Sequence, residues 1–408
     1  MKSAIKKSQL RPTSELEITG SKSETNRLLL LQALFPQISV KNTSESDDSQ
    51  AMRNALANGS GVIDIHHAGT AMRFLTAYFA IQDEKTVILT GSDRMQQRPI
   101  KILVDALRDL GAEIEYLHEQ GFPPLKITGK KLPNSKVTLD AGVSSQYISA
   151  LLLIAPGLEN GLELTLEGTI TSVPYINMTL ALLDEAGIET SFTQNTIVVK
   201  PVSNLEPHVF TVESDWSSAS YFYSAVALSE IGTKIKLSSF KANSLQGDSA
   251  LSDLYRTFGV ETQFLDNSIL LTKTHNCSLS IVHFQLNNTP DIAQTIAVTC
   301  FGLGIGCELT GLHTLKIKET DRLEALKTEL SKFGADVAVT DDSLTLQPSG
   351  FIEPGVVVAT YDDHRMAMAF AVLGLRTTLC IDDAEVVSKS FPTFWEDFGG
   401  VGFGVEMG

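Results

Sequence analysis

Cationic side chains stand where predicted helices begin. In the stretch "GSKSETNRLLLLQAL", an apolar run without Gly or Pro predicts a helix from Asn26, with Ser21 or Ser23 as its N-cap. Lys22 and Arg27 lie at this start, although a helix N-terminus carries a partial positive charge that disfavours cations. An anion held by these side chains and by free backbone N–H groups would offset that cost. The stretch therefore predicts one wall of a site for a small molecule with several negative charges.

The same combination recurs at other predicted helix starts and in the loops beside them. Arginine offers a paired donor geometry that suits phosphate and carboxylate groups. One such cation alone would be a solvated surface charge, but repeated placement in an acidic chain favours a shared anion site. The residues concerned are His67–Arg73 in "HAGTAMR", Arg94 and Arg98 in "GSDRMQQRPI", Ser144, Ser145 and Gln146 in "VSSQY", Ser172 and Tyr175 in "TSVPY", Lys318, Glu319, Asp321 and Arg322 in "IKETDRL", Asp363, His364 and Arg365 in "YDDHRMAM", and Lys389 in "VSKSFP".

Several polar residues also have a simpler interpretation in local helix geometry. Small polar side chains at helix starts commonly cap the backbone, and acids are common in first turns. The alternatives are N-caps for Ser144, Ser145 and Gln146, a tight turn with a cap for Gly69 and Thr70, an N-cap of "IAQTIAV" for Asp291, and a first-turn acid for Glu319. The residues alone leave these alternatives open.

A repeated unit organises the chain. The pattern of "DLGAEI" recurs in "EAGIET", "TFGVET" and "KFGADV", each after an amphipathic helix, and its Gly is placed for the left-handed C′ position. A degenerate fifth copy is "DFGGVG". A second, more apolar helix recurs six times and is followed by a predicted strand, so six helix–strand units are expected. The repeated glycines are Gly111, Gly187, Gly259, Gly334 and Gly399.

Six such units predict an α/β fold with two domains of three units each. The polar, Pro-containing stretch at about residues 200–215 is the expected boundary, and the two chain ends are expected to meet in one domain. The first unit is expected to be short, because its apolar helix begins only about 45 residues before the next one.

Composition excludes several functional classes. The 408 residues carry a formal net charge of −16, which disfavours general nucleic-acid binding. The apolar runs are shorter than a membrane span and the N-terminal segment has no hydrophobic signal core, so we expect a cytoplasmic protein. Cys277, Cys300, Cys307 and Cys380 form no CxxC pair and are expected to be reduced. Without HExxH, Walker or GxSxG motifs, the sequence predicts no metal site.

In chain order, the motifs resemble those of a known family. The segments "GSKSETNR", "AGTAMR", "DRMQQRPI", "SSQY", "VPYINMT", "SLQGD", "KETDRL" and "DDHRMAM" are similar to the pattern of 5-enolpyruvylshikimate-3-phosphate (EPSP) synthases over about residues 20 to 395. The resemblance implies two inside-out α/β domains, each of three repeated helix–strand units with buried central helices. It also implies that residues 14–212 form one domain and residues 1–13 with 213–408 the other, with the active site in the cleft between them.

The resemblance further implies a reaction. The enolpyruvyl group of phosphoenolpyruvate passes to the 5-hydroxyl of shikimate 3-phosphate, and inorganic phosphate is released, as a step of chorismate and aromatic amino-acid biosynthesis. Both substrates carry a phosphate and a carboxylate, which cations and helix dipoles can neutralise without a metal or other cofactor. The two small molecules are the expected partners, without nucleic acid or membrane, and the enzyme is expected to be a monomer.

By the same resemblance, site residues fall into three groups. The catalytic group is Asp291, as the base near the 5-hydroxyl, with Glu319 and Lys22 as the other proton-transfer candidates. The phosphoenolpyruvate group is Lys22, Gly69, Arg94, Gln146, Arg322, Arg365 and Lys389. The shikimate 3-phosphate group is Lys22, Ser23, Arg27, Ser144, Ser145, Gln146, Ser172, Asp291 and Lys318, with Tyr175 as an addition.

Three positions depart from the family pattern. His67 and Thr314 stand where the family usually has Asn, and Phe74 stands where it has Pro. His67 and Phe74 flank Gly69, which leaves the affinity for phosphoenolpyruvate and any response to glyphosate open.

Two other functions remain open at this point. An enolpyruvyl transferase that acts on UDP-N-acetylglucosamine would share the fold and the first substrate. It typically carries a reactive Cys in the loop that corresponds to "GSDRMQQRPI", and this loop has none. A non-catalytic relative that binds an anion is compatible with the repeats, but it would not need Asp291 and Glu319 beside the cations.

Overall fold

The computed structural model describes residues 1–140, 142, 144–168, 170 and 172–408. Short strands and helices alternate along the chain in a mixed α/β structure. Within these ranges, no helix combines the length and the apolar character that crossing a lipid bilayer requires.

The chain divides into two compact units. The continuous unit is Gly20–Val212, and the split unit combines Met1–Thr19 with Glu213–Gly408. The N-terminal division therefore falls after Thr19 rather than at the expected position between residues 13 and 14. The physical reason is a pairing that is distant in sequence, because the strand Thr13–Glu17 lies parallel to Lys234–Ser238 of the split unit.

Strands in this structure are three to six residues long. In chain order they are β1 Ser3–Lys6, β2 Thr13–Glu17, β3 Ile38–Lys41, β4 Gly61–Asp64, β5 Thr86–Thr90, β6 Glu113–Tyr116, β7 Leu125–Thr128, β8 Lys136–Asp140, β9 Leu162–Glu167, β10 Thr190–Thr193, β11 Thr196–Val199, β12 His208–Thr211, β13 Lys234–Ser238, β14 Val260–Leu265, β15 Ser268–Lys273, β16 Ile281–Gln285, β17 Gly306–Thr310, β18 Val337–Val339, β19 Leu344–Leu346, β20 Val356–Val358, β21 Leu379–Ile381 and β22 Gly404–Met407.

The helices are of two kinds, apolar ones that are buried throughout and amphipathic ones. In chain order they are α1 Lys22–Leu34, α2 Asp47–Asn58, α3 Gly69–Ala80, α4 Asp93–Gln96, α5 Lys101–Asp109, α6 Ser145–Ile154, α7 Val173–Glu185, α8 Trp216–Ala227, α9 Leu251–Leu254, α10 Ala293–Leu303, α11 Arg322–Lys332, α12 His364–Ala371 and α13 Phe394–Val401. Short 3-10 segments include Pro290–Ile292 and Ala384–Lys389.

Small sheets of mixed strand direction flank these helices. The continuous unit contains the four-stranded sheets β4-β5-β7-β6 and β10-β11-β9-β8, and the split unit contains β20-β21-β1-β22, β14-β15-β13-β2 and β16-β17-β19-β18. Over the described part of the chain, the remaining sheet has only the parallel pair β3 and β12, which agrees with the short first unit predicted from the sequence. Strand β1 pairs with β22, so the two chain ends meet in one sheet.

The six predicted apolar helices form the interior of the two units. They are α1, α3 and α6 in the continuous unit and α8, α10 and α12 in the split unit, and the middle of each is buried on all sides. Within each unit these helices pack against one another. Hydroxyl pairs join α8 to α10, where Ser220 meets Thr295 at 3.1 Å and Ser224 meets Thr299 at 2.6 Å, so buried polar groups satisfy each other.

Four of the five repeated glycines occupy the backbone conformation that the sequence predicts. Gly111, Gly187, Gly259 and Gly334 follow helices with φ between 77° and 107°. The prediction for the fifth copy is wrong, because Gly399 lies inside α13. The left-handed position there is Gly402, whose φ is 122°.

Lys273 is a buried cation far from the predicted site residues in sequence. Its ammonium group is inaccessible and donates to the carbonyl oxygens of Ala227, at the end of α8, and Phe258, at 2.8 and 2.7 Å. It therefore caps two helical C-termini, where a positive charge is favourable. Burial nevertheless lowers the pKa of Lys273 to about 8.

This pKa shift predicts a pH-dependent contribution to folding. The unfolded chain keeps its Lys273 proton up to the ordinary pKa of about 10.4, so stability should rise with pH between about 8 and 10. Lys273→Met should lack this component. The free energy of unfolding of the wild type, minus that of the variant, should increase by about 1–2 kcal/mol over this window. Urea denaturation at each pH measures it.

Lys236→Met, which removes an exposed ammonium group from the same sheet, is the matched control. A difference between wild type and Lys273→Met that stays constant from pH 7.5 to 10 would contradict the interpretation.

Candidate functional site

Arg27 connects three helices of the continuous unit. Its side chain is 2% exposed and donates to Thr179 Oγ1 at 2.8 Å, Ser149 Oγ at 3.0 Å and the carbonyl oxygens of Ser23 and Tyr175 at 2.8 and 3.2 Å. These four acceptors on α1, α6 and α7 are uncharged. Burial therefore lowers the pKa of Arg27 to about 10, still far above neutral pH. The guanidinium remains a source of positive potential at this helix junction.

Lys22, the first residue of α1, lies beside an acidic side chain. Its Nζ is 3.4 Å from Asp48 Oδ2, and both side chains are largely buried. His67 Nε2 lies 3.9 Å from Asp48 Oδ1 and 3.9 Å from Asp47 Oδ2. Asp48, which the sequence analysis did not single out, therefore lies between Lys22 and His67.

The start of α3 brings Gly69 against Arg98. A Cβ atom added to Gly69 would lie 2.6 Å from Arg98 Nη1 and 3.0 Å from its Cζ, so only glycine leaves the guanidinium in place. Arg98 is 8% exposed, and its Nε has no hydrogen-bond partner in the part of the chain that the structure describes. The sequence analysis noted Arg98 but assigned only Arg94 to the site.

The start of α6 lies beside α3. Ser144 is the N-cap of α6 and accepts the backbone N–H of Gln146 at 3.3 Å, which confirms the capping interpretation for this serine. The Gln146 side chain donates to Thr70 Oγ1 on α3 at 3.2 Å. Ser145 is buried in the first turn, and Ser172 precedes α7 with φ of 53°.

Asp291 is the centre of a charge cluster in the split unit. Arg322 Nη1 donates to its Oδ1 at 2.9 Å, Lys318 Nζ lies 3.6 Å from the same oxygen, and Arg365 Nη2 donates to its Oδ2 at 3.4 Å. Burial would raise the pKa of Asp291, but the three cations hold it well below its ordinary range. Asp291 lies in the 3-10 turn before α10 and does not cap that helix, so the N-cap interpretation is wrong.

Arg322 contacts three carboxylates from a buried position. Its side chain is 2% exposed, and besides Asp291 it donates through Nη2 to Glu319 Oε2 at 2.8 Å and through Nε to Asp363 Oδ2 at 2.6 Å. Burial lowers the pKa of Arg322, but the carboxylates outweigh this and raise it above its ordinary value. Asp363 is fully buried at the N-cap of α12 and also accepts the backbone N–H of Arg365 at 2.9 Å. It therefore fixes the two arginines relative to each other.

Further contacts extend this cluster on two sides. Lys389, at the end of the segment Ala384–Lys389, donates to the carbonyl oxygen of Asp362 at 2.5 Å. Arg365 Nη2 also donates to Ser217 Oγ at 3.4 Å, and that hydroxyl donates to the buried carboxyl of Asp248. Burial, with the nearby Asp291 charge, raises the pKa of Asp248 to about 7.

The structure divides the predicted site residues between the two units. The continuous unit contains Lys22, Ser23, Arg27, Gly69, Arg94, Ser144, Ser145, Gln146 and Ser172, and the split unit contains Asp291, Lys318, Glu319, Arg322, Arg365 and Lys389. Arg94 is exposed on the short helix α4. Among the residues described here, no His, Cys, Asp and Glu side chains are grouped as ligands for a metal ion.

Two more of the simpler interpretations are wrong. α3 begins at Gly69 itself, after Ala68, so Thr70 is a helical residue and not a cap. α11 begins at Arg322 after the N-cap Asp321, so Glu319 precedes the helix and is not a first-turn acid.

Sequence reasoning missed Asp48, and it named Arg98 and Asp363 beside the expected anion site without giving either of them a role in binding or catalysis. Asp363 had a local signal, since it directly precedes the "HR" pair at a predicted helix start, a typical N-cap position. Asp48 had none, because its approach to Lys22 depends on how α2 packs against α1.

Comparisons with known proteins bear on this site. The family described as EPSP synthase (3-phosphoshikimate 1-carboxyvinyltransferase) matches residues 56–398. A 3-phosphoshikimate 1-carboxyvinyltransferase of Bacteroides fragilis (strain YCH46) is 46% identical over 405 residues, which covers 98% of each chain. The protein of the same name from Haemophilus influenzae is 37% identical and covers 97% of this chain and 98% of its own. The solved structure of an EPSP synthase from Acinetobacter baumannii has the same fold, with a TM-score of 0.80, 23% identity and full coverage of both chains.

The charge cluster predicts a large stability effect at Arg322. Arg322→Met leaves three carboxylates without their shared cation, so the free energy of unfolding at pH 7 should fall by about 3–5 kcal/mol. Protonation relieves the repulsion, so this deficit should shrink as the pH is lowered from 7 to 5. In the wild type, the depressed pKa of Asp291 contributes stability above about pH 4, which is lost below that value.

Chemical denaturation at several pH values measures both effects. Arg256→Met, which removes an exposed arginine paired with the exposed Asp253, is the control and should change stability by less than about 0.5 kcal/mol. A deficit for Arg322→Met that grows toward acid pH would contradict the predicted charge balance.

Proposed function

The chain belongs to the EPSP synthase family, and on that premise we propose which of its residues bind the substrates and which transfer protons. The enzyme transfers the enolpyruvyl group of phosphoenolpyruvate to the 5-hydroxyl of shikimate 3-phosphate and releases inorganic phosphate, in the shikimate pathway of aromatic amino-acid biosynthesis. The observation that carries the proposed residue roles is the Asp291 carboxylate held by Arg322, Lys318 and Arg365 within 3.6 Å. This places a candidate base among groups suited to bind phosphate and carboxylate.

We propose that residues of both units bind the two substrates. Their phosphates and carboxylates require several cations, and each unit contributes a set of them. Phosphoenolpyruvate is assigned to Lys22, Gly69, Arg94, Gln146, Arg322, Arg365 and Lys389. Shikimate 3-phosphate is assigned to Lys22, Ser23, Arg27, Ser144, Ser145, Gln146, Ser172, Asp291 and Lys318.

Substrate anions should convert Asp291 into an effective base. Without them, three cations stabilise its charge so strongly that it binds a proton poorly. A phosphate or carboxylate that bonds to Arg322, Arg365 or Lys318 would offset their field at Asp291. The pKa of Asp291 would then rise toward the range useful for proton abstraction. Base strength is thereby coupled to occupancy of the anion sites.

The proposed chemistry has two steps with opposite proton movements. In the addition, Asp291 takes the 5-hydroxyl proton while the oxygen bonds to the central carbon of phosphoenolpyruvate, and Glu319 or Lys22 gives a proton to the methylene carbon. In the elimination, the same Glu319 or Lys22 takes a proton from the new methyl group, and the electron pair of that C–H bond forms the carbon–carbon double bond as the carbon–oxygen bond to phosphate breaks. The cations stabilise the departing phosphate.

Phosphate release tests the function and the role of Asp291 together. Purified protein with phosphoenolpyruvate should release phosphate when shikimate 3-phosphate is the acceptor and not when UDP-N-acetylglucosamine is. Asp291→Asn keeps the shape of the side chain but not its basicity, so kcat should fall by about 10²- to 10⁴-fold.

The matched control is Asp253→Asn, on an exposed side chain of the same unit, which should leave kcat unchanged. Release that requires UDP-N-acetylglucosamine would favour the sister activity, and release by neither acceptor would favour a non-catalytic relative. Full activity of Asp291→Asn would remove this residue from the catalytic group.

A second prediction concerns Gly69 and Arg98. In Gly69→Ala the added methyl would lie 2.6 Å from Arg98 Nη1 and 3.0 Å from its Cζ, so the buried guanidinium would have to move. We propose that Arg98, through its contact with Gly69, also binds phosphoenolpyruvate. Because displacement of a binding group by about 1 Å can cost up to about 100-fold, KM for phosphoenolpyruvate should rise by about 10-fold or more. Steady-state kinetics with each substrate varied in turn measures this.

Gly157→Ala is the matched control, since a Cβ there would make only an ordinary contact of 3.7 Å with Ile81. An unchanged KM in Gly69→Ala would exclude Arg98 from this part of the site.

We further propose that the enzyme acts as a cytoplasmic monomer that does not bind nucleic acid. The net charge of −16 supports the last point, since it opposes binding to a polyanion. One chain carries every residue assigned to the substrates, so no residue from a second copy is required. Light scattering of the purified protein, with and without substrates, measures its mass and tests the monomer.

A further inference from the structure

Glu329 is a buried carboxylate that the reaction scheme above does not use. It lies on α11 seven residues after Arg322, which places the two side chains on the same face of the helix, two turns apart. Its carboxylate accepts the Tyr361 hydroxyl at 2.6 Å and the backbone N–H of Ala359 at 3.1 Å. Lys332 Nζ, 2.8 and 2.7 Å from the two oxygens, compensates the charge. Glu329 therefore holds the chain around Tyr361 against α11.

The chain at this point forms a strained turn. Tyr361 and Asp362 both have φ of 55°, in the left-handed region that non-glycine residues seldom adopt. The Asp363 N–H donates to the Thr360 carbonyl oxygen at 2.9 Å and closes the turn. Two successive residues with positive φ are typical of a type I′ turn, which favours Asn and Gly at these positions. A tyrosine has an unfavourable backbone preference here, but its hydroxyl reaches Glu329.

The residues next to this turn belong to the proposed site. The carbonyl oxygen of Asp362 accepts Lys389 Nζ at 2.5 Å, and Asp363 accepts Arg322 Nε at 2.6 Å. α11 thus holds the turn at two points, with Arg322 bonded to its last residue, Asp363, and Glu329 bonded to its second residue, Tyr361. Without the bond between Tyr361 and Glu329, the turn could relax. The carbonyl oxygen of Asp362 would then no longer hold Lys389 in the same place.

We propose that Glu329 and Tyr361 are positioning residues for enolpyruvyl transfer, which fix the strained turn and thereby the ammonium group of Lys389. The proposal rests on the assignment of Lys389 to phosphoenolpyruvate. It explains why a buried acid, a lysine partner and a tyrosine are all used to hold one short turn. It also explains why the costly conformation lies directly before the helix that carries Arg365.

Tyr361→Phe removes one hydroxyl and tests the proposal directly. KM for phosphoenolpyruvate should rise by about 10-fold, because the turn that holds Lys389 loses its hydrogen bond to a charged group. KM for shikimate 3-phosphate and kcat should stay within about twofold, since the contacts of Asp291 remain. Glu329→Gln should give the same pattern. Tyr223→Phe, which loses a 2.7 Å hydrogen bond to Thr262 in the same unit, is the control and should change stability without changing either KM.

Tyr361→Asn separates positioning from folding. Asparagine tolerates positive φ better than tyrosine, so this variant should be at least as stable as Tyr361→Phe while it also lacks the bond to Glu329. Positioning predicts a raised KM for phosphoenolpyruvate in both variants. A purely structural role predicts that KM follows the melting temperature across the series, which would overturn the proposal.

A double-mutant cycle with Lys389→Met identifies the residue through which Tyr361 acts. If the turn acts through Lys389, Tyr361→Phe should have almost no further effect on KM in the Lys389→Met background. Independent, multiplying effects would overturn this link. If the wild type is active and Tyr361→Phe has unchanged kinetics, the inference alone is overturned. If the wild type releases no phosphate from the two substrates, the proposed function is overturned and the inference with it.

Discussion

Repulsion between buried cations is the constraint on which the split unit's site depends. Arg322, Arg365 and Lys318 all lie within 3.6 Å of a single carboxylate, and like charges at such spacing repel strongly once water is excluded. Asp291, Glu319 and Asp363 offset this repulsion when no substrate is bound. Two of these acids, Asp291 and Glu319, are also the proton-transfer candidates. The same contacts therefore stabilise the fold of the cluster and hold the pKa of Asp291 well below its ordinary range.

In the continuous unit, a buried cation is stabilised in a different way. Arg27 is bonded to hydroxyl and carbonyl oxygens, so its charge is solvated by dipoles and not cancelled. Burial lowers the pKa of Arg27, and its guanidinium keeps a positive potential where α1, α6 and α7 meet. This is possible because two hydroxyl groups and two carbonyl groups of α1, α6 and α7 converge on one guanidinium.

Sequence reasoning succeeded where the signal was local and failed where it depended on packing. The apolar helices and the glycines at 111, 187, 259 and 334 could be predicted, because periodicity and C′ geometry are properties of short segments. The place of strand β2 could not, since its partner β13 lies more than 200 residues away. Asp291 preceded an apolar helix and so suggested a cap, and only the fold shows three cations around it. Asp48 became visible only through neighbours that are distant in sequence, and so did the contact between Arg98 and Gly69.

Non-glycine residues with positive φ occur in two settings, in tight turns that require this conformation and next to the candidate site. Several non-glycine residues with positive φ lie in hairpins, such as Gln194 and Asn267, where the turn itself requires that conformation. Other residues with positive φ lie next to the candidate site: Ser172 before α7, His66 beside His67, Asp383 before the segment Ala384–Lys389, and the pair Tyr361 and Asp362. Bulky side chains are poor choices at such positions unless their polar ends are needed nearby. The Tyr361 hydroxyl, which bonds to Glu329, meets that condition. A tyrosine with positive φ at this turn is therefore evidence that the residue serves the geometry of the cations that follow it.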